Sequence, residues 1–521
     1  MTLASKSTIS FTTQNTYLNA LLEYLHPIGD LEALLALASW DQQTAMPAEA
    51  GVMRMHQVAI LESIIHERLT AQEMGTLLSN AEKAASQESF TDADRGLLRQ
   101  TRRTYDHATK LPKSLVEEKA RLRSESVDAW QKSRANNDFA LFAPFLQRTI
   151  ALKREVAERI GYTEFPYDAL LDDFEPGLTT RKVEAMFQSV RAVSTSLLQR
   201  IQQSGQTIDA SSLYGHFAPE QQHTLSDQLL RVIGYDFSRG QLARSQHPFT
   251  TDFGAPFDVR VTNRYDEQYL PMGIMAGMHE GGHGLYAQGI SPALARTALA
   301  NGASLGIHES QSRLWENAIG RSSAFWQAHY GLLQQAFPEH FKDIEQAIFV
   351  RALNTVKPSL IRVMADEVTY NLHILIRFEL EKGLVNGEFA VESLPRLWNE
   401  RYQQYLGITP PTETEGVLQD VHWTSQFGYF PTYTLGNLYS AQILHTLQQT
   451  FPDFQEQLAT GDTSFILTWL REHIHQYGVI YQPEELIQRA TGEAPNPQYF
   501  VDYLTNKFES VYNLPPEQVN N

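Results

Sequence analysis

The apolar positions of the first 245 residues fall at helical spacing. Leu18, Leu21, Leu22 and Leu25 mark one helix; Leu31, Leu34, Leu35, Leu37 and Ala38 predict a second, ending near Trp40-Asp41. A turn around Met46-Pro47 leads into a long helix through Met53, Val58, Ile60, Leu61 and Ile64. Residues 80–95 are polar and predict a loop. Helical periodicity returns at Leu97 and continues, broken at Lys110-Leu111-Pro112, to about Ile160. An acidic, aromatic turn from Phe165 to Gly177 precedes helices predicted at 180–203 and 219–233. This half shows no strand candidate and no internal repeat.

The period changes after His247-Pro248-Phe249. Phe257, Val259 and Val261 alternate with Asp258, Arg260 and Thr262, which predicts a strand with the polar three on its outer face. A short strand of that kind can offer its backbone to an extended peptide. A helix is then expected from about Pro271 to Ala287, stopping at Gly289. Ser359 is expected to open a helix to Lys382, with Gly383 as its stop. Along it Arg362, Asp366, Tyr370, His373 and Arg377 recur on one face, a polar stripe expected to line a solvent-filled cleft. Residues 416–433 are irregular and aromatic, and helices resume at 435–451. Residues 1–16 read as a polar tail, and 17–521 as a single two-lobed domain with no Pro/Gly/Ser-rich linker.

Composition narrows the function. The net charge is −18, which argues against nucleic acid or an anionic membrane as partner. The chain has no Cys, so thiolate metal sites and disulfides are excluded. No run of 18 apolar residues appears, and the N-terminus lacks the apolar core of a signal peptide, so a cytoplasmic location is expected.

Candidate chemistry centres on His279-Glu280-Gly281-Gly282-His283. On a helix the two imidazoles sit one turn apart, about 5–6 Å at Cβ, and can share one Zn²⁺. Glu280 points roughly 100° round the helix, where a general base for a metal-activated water belongs. Gly281 and Gly282 each cost about 1 kcal/mol in a helix, so their bare backbone points to close approach by a substrate or a neighbouring helix. A third ligand is expected on the next helix, where Glu309 and Glu316 are both candidates that spacing does not separate.

Six motifs then occur in order: His247-Pro248-Phe249, Asp258-x-Arg260-x-Thr262, His279-Glu280-x-x-His283, His308-Glu309-Ser310, Ile361-Arg362-x-x-Ala365-Asp366 and Gly416-x-x-Gln419-Asp420-x-His422-Trp423. In this the chain resembles the carboxypeptidase Taq family of metallocarboxypeptidases. The resemblance implies a mainly helical, all-α fold with a small β-sheet near the active site. It implies two lobes around a deep central cleft, as in neurolysin and angiotensin-converting enzyme. It also implies a homodimer that releases single residues, with broad preference, from the free C-terminus of peptides. It selects Glu309 as third ligand beside His279 and His283. The expected roles are Glu280 as base, His422 or Tyr433 as oxyanion donor, and Arg362, Arg260 and Asp366 at the substrate, with Arg377 a weaker choice. Co²⁺ or Mn²⁺ is expected to substitute for Zn²⁺. Two other readings share the metal site: an endo-acting oligopeptidase without a carboxylate anchor, and a non-catalytic scaffold, against which Glu280 argues.

Overall fold

The computed structural model describes residues 9–12 and 14–516. Most of the expected polar tail therefore lies outside the described residues. Its end is tied down: the Thr12 amide donates to Asp94 Oδ1 at 3.0 Å, and Asn15 caps the first helix by accepting from the Leu18 amide at 2.9 Å.

The fold is about 69% helical with one three-stranded sheet. It divides into two compact units, each assembled from three stretches of chain. The first comprises residues 1–109, 213–346 and 446–494; the second comprises 110–212, 347–445 and 495–521.

In the first unit, the two helices expected between Leu18 and Asp41 are one, Thr16–Thr44, with Pro27 inside it. The expected loop at 80–95 shrinks, because helices Gln72–Ala85 and Asp92–Lys110 run into it from both sides. The strands are β1 (Leu242–Arg244), β2 (Thr250–Asp252) and β3 (Val259–Asn263), in the order β1-β3-β2. β3 runs parallel to β1 and antiparallel to β2. Three residues are too few to show alternation, so β1, inside the stretch read as strand-free, leaves no period to find. Val259 and Val261 are buried as expected, and Arg260 is half-buried on the other face, stacked over Trp40 and Phe253. Thr262 departs from the expectation of an outer face. It is fully buried, because its hydroxyl accepts from the Phe249 amide at 2.9 Å and bonds Ser245 at 2.7 Å.

The helix carrying the two histidines spans Leu270–Gly289 and is apolar almost all round, with Ile274, Met275, Met278, Leu285 and Tyr286 buried. Its glycines are explained by packing. A Cβ at Gly282 would meet the Gln311 carbonyl oxygen at 2.6 Å and Ser312 Cα at 2.7 Å, both on the following helix, Leu305–Arg313. A Cβ at Gly281 would meet Leu230 at 2.6 Å, on the helix Pro219–Val232. The close approach anticipated for this pair is thus by neighbouring helices.

In the second unit, the helix expected from Ser359 begins only at Tyr370 and ends at Asn386. Arg362 lies instead in a short 3₁₀ turn, Arg362–Met364. Asp366 sits between the two: its carboxylate accepts from the amides of Val368, Thr369 and Lys357, each at 3.0 Å, and from the Thr369 hydroxyl at 2.7 Å. An aspartate so placed competes with continued helix for the backbone donors, which is why the stripe does not form. Nor is the face wet. His373 and Arg377 are fully buried, with His373 bonded to Tyr402 at 3.0 Å.

Candidate active site

Within the first unit the structure brings His279, His283 and Glu309 together, with one ligand atom from each lying within 4.8 Å of the others. Glu309 Oε2 is 3.6 Å from Nε2 of both histidines. Tetrahedral bonds of about 2.0–2.1 Å put neighbouring donors roughly 3.3–3.4 Å apart, so these three residues fit one metal ion with small adjustment.

The other ring nitrogens are occupied. His279 Nδ1 is 2.9 Å from Glu316 Oε2, and His283 Nδ1 is 3.0 Å from His308 Nδ1. Such partners hold each ring so that Nε2 faces Glu309. The two glutamates left open by spacing therefore differ in place. Glu309 meets both Nε2 atoms, whereas Glu316 holds the far side of His279. Glu309 lies on the helix Leu305–Arg313, whereas Glu316 lies within the π-helical turn Leu314–Ile319 that follows it.

Arg313 bridges both acids, at 2.7 Å from Glu309 Oε1 and 3.1 Å from Glu316 Oε2. Burial alone would raise both carboxyls. Arg313 and the histidines outweigh it, holding Glu309 well below the usual range and Glu316 down at about 2. Burial pulls His308 down to about 3, and His283 beside it adds to the effect. Two anionic carboxylates and a neutral His308 suit a cation site. Arg313 was missed by sequence reasoning although it follows Glu309 by four residues, a spacing that places the two side chains together on a helix.

Glu280 is buried beside this centre on the same helix, and its Oε2 accepts from the Thr250 hydroxyl of β2 at 2.8 Å. Thr250 carried no sequence signal. Arg260 forms a two-pronged pair with Asp258, at 2.9 and 2.7 Å.

The second unit holds the remaining candidates. Asp420 binds Arg362 at 3.1 Å through one oxygen and Arg377 at 2.6 Å through the other. Arg362 also donates to Tyr370 at 3.2 Å and lies over the Tyr433 ring at 4.7 Å. Burial would raise Asp420, but the two guanidinium groups hold it well below its usual range. His422 Nε2 is 3.4 Å from the Tyr433 hydroxyl. Burial lowers His422 to about 4; Asp420 opposes, and Arg362 and Arg377 add to the lowering. The ring is therefore neutral at pH 7.

A sequence model of the carboxypeptidase Taq (M32) metallopeptidases matches residues 20–508. The chain belongs to this family. It is 40% identical over 504 residues to carboxypeptidase 1 of Bacillus subtilis, covering 96% of this chain and 99% of that one. It is also 40% identical over 504 residues to thermostable carboxypeptidase 1 of Thermus thermophilus, covering 94% and 98%. The M32 carboxypeptidase of Deinococcus radiodurans superposes with a TM-score of 0.93 at 36% identity, over 96% of this chain and 100% of that one. This M32 member is a metallocarboxypeptidase, a metal-dependent peptide hydrolase with the mainly helical fold of its family.

Removing Glu309 should abolish metal retention, because it supplies the only carboxylate oxygen in the triad. Removing Glu316 should leave the triad but weaken affinity about 10- to 100-fold. Metal analysis of Glu309→Ala and Glu316→Ala after dialysis against graded chelator checks both. Normal retention in Glu309→Ala with loss in Glu316→Ala would reverse the assignment.

Proposed function

We propose that the protein is a zinc carboxypeptidase that removes single residues from the free C-terminus of peptides, with His279, His283 and Glu309 as ligands. The observation that carries this is the convergence of two Nε2 atoms on one carboxylate oxygen at 3.6 Å each. Two histidines and a glutamate form a ligand set that would hold Zn²⁺, and Co²⁺ or Mn²⁺ would occupy it as well. When bound, the metal supplies Lewis acidity toward the scissile carbonyl and makes water a nucleophile near neutral pH.

The chain's own residues do the rest. Glu280 takes the attacking water's proton and hands it to the leaving amine; its Thr250 bond fixes the carboxylate. His422 and Tyr433 are the proposed hydrogen-bond donors to the oxyanion. A neutral imidazole and a phenol can each donate without placing a full charge in the ground state. Arg362 is the proposed anchor of the substrate carboxylate. Support comes from charge: Arg362 and Arg377 bring two positive charges and Asp420 one negative, leaving an excess of one for an incoming anion. Arg260, neutralised by Asp258, and Asp366, engaged with backbone amides, would shape the substrate's surroundings. A homodimer and a cytoplasmic location belong to the same proposal, and light scattering and cell fractionation test them.

Glu280→Gln should keep the metal and the fold and lose about 10²- to 10⁴-fold in kcat, since the amide cannot take a proton. Retention of more than roughly a tenth of the activity, with metal content unchanged, would remove Glu280 from this role.

Arg362→Ala should lose about 10- to 150-fold in kcat/KM on a free-acid peptide and little on its C-terminal amide. Equal losses on both peptides would make Arg362 a structural partner of Asp420.

A further inference from the structure

A cavity of about 330 Å³ opens where the helix Leu270–Gly289 ends, lined by Gln288, Ser291, Arg239 and Arg471 among others. We propose that it binds a small oxyanion through Arg471, Arg239 and Ser291. The two arginines differ in how their charge is answered. Arg239 Nε donates to Asp236 at 2.8 Å, and its Nη1 donates to the Gln288 carbonyl at 3.1 Å. It is thus matched by a carboxylate and by the negative end of that helix. Arg471, on the helix Ser464–His473, is half-buried and faces the same cavity. Its guanidinium makes no hydrogen bond, ion pair or ring contact with any described residue.

Arg471 lies close enough to feel both neighbours. Burial and Arg239 push its pKa down, and Asp236 only partly opposes them. Two cations and one anion leave an excess of one positive charge at this cavity, in a chain whose net charge is −18. The bland alternative is that Arg471 complements the helix end. Arg239 already does so by direct bond, and Arg471, in the last turn of its own helix, keeps its guanidinium free of any direct partner among the described residues. A bound oxyanion satisfies it. The Ser291 hydroxyl, also on the cavity and without a partner among the described residues, is a further donor.

The volume lies at the small end of ligand sites, which suits a phosphate or a carboxylate with a few waters. Those are two sources of one chemistry: inorganic phosphate, or the carboxylate of a free amino acid of the kind a carboxypeptidase releases. The inference is independent of the residue roles proposed above, because no ligand or base of the metal centre takes part.

The test uses metal-loaded enzyme in chloride buffer at constant ionic strength, titrated with phosphate in one arm and acetate in the other. Calorimetry or thermal shift reads binding. Saturable binding is expected in wild type, and about 10- to 150-fold weaker binding in Arg471→Gln. Ser291→Ala should weaken it less, and serves if Arg471→Gln does not fold. Peptidase activity should stay near wild type in both. Anion bound at the metal would persist in both variants, and a selenate soak locates the site by its anomalous signal. The tighter arm names the source. No saturable binding in either arm, binding undiminished in the variants, or selenate only at the metal would overturn the proposal.

Discussion

The candidate metal centre depends on how closely two helices can approach. The separation is set at Gly282, where a single added carbon would sit 2.6 Å from the backbone of the following helix. That contact lets Glu309, on one helix, place an oxygen against both imidazoles of the other. The intrinsic cost of glycine in a helix is about 1 kcal/mol, and here it is offset by the packing that bare backbone permits. Placement of the three candidate ligands is therefore a property of the helix pair.

Around this pair, charge answers both Glu309 and Glu316. Arg313 spans Glu309 and Glu316, and Arg321 lies 3.5 Å from Glu316. The second unit repeats the logic with opposite sign, one aspartate between two arginines. In both places the partners keep a buried group ionised that desolvation would neutralise. The cost of breaking either set is correspondingly large, because the survivor would be stranded.

What the sequence made legible follows from how local each signal is. The histidine pair and Glu280 are set by spacing within one element, and the helix that carries them, Leu270–Gly289, lies where expected. The distinction between Glu309 and Glu316 needs the fold, since both follow His283 on the same helical stretch and only the three-dimensional path assigns one to Nε2 and the other to Nδ1. The polar stripe from Arg362 to Arg377 misled because periodicity ignores capping: Asp366 draws four donors to itself and breaks the register. Thr250 and Asp420 act across distances of 30 and 43–58 residues, which no local pattern encodes.

The threading of the chain carries a consequence for how the protein is made. Six segments alternate between the two units, so the chain passes from one to the other at five points. The first unit, with its metal triad complete by residue 309, still needs residues 446–494 to close its packing, and the second needs those after 495. Neither can finish on a ribosome that has released only the first half of the chain. Both wait on contacts of very long sequence separation, the slow kind. A nascent chain of this enzyme spends most of its synthesis with apolar helix faces uncovered, and the protection of those faces falls to whatever receives it at the tunnel exit.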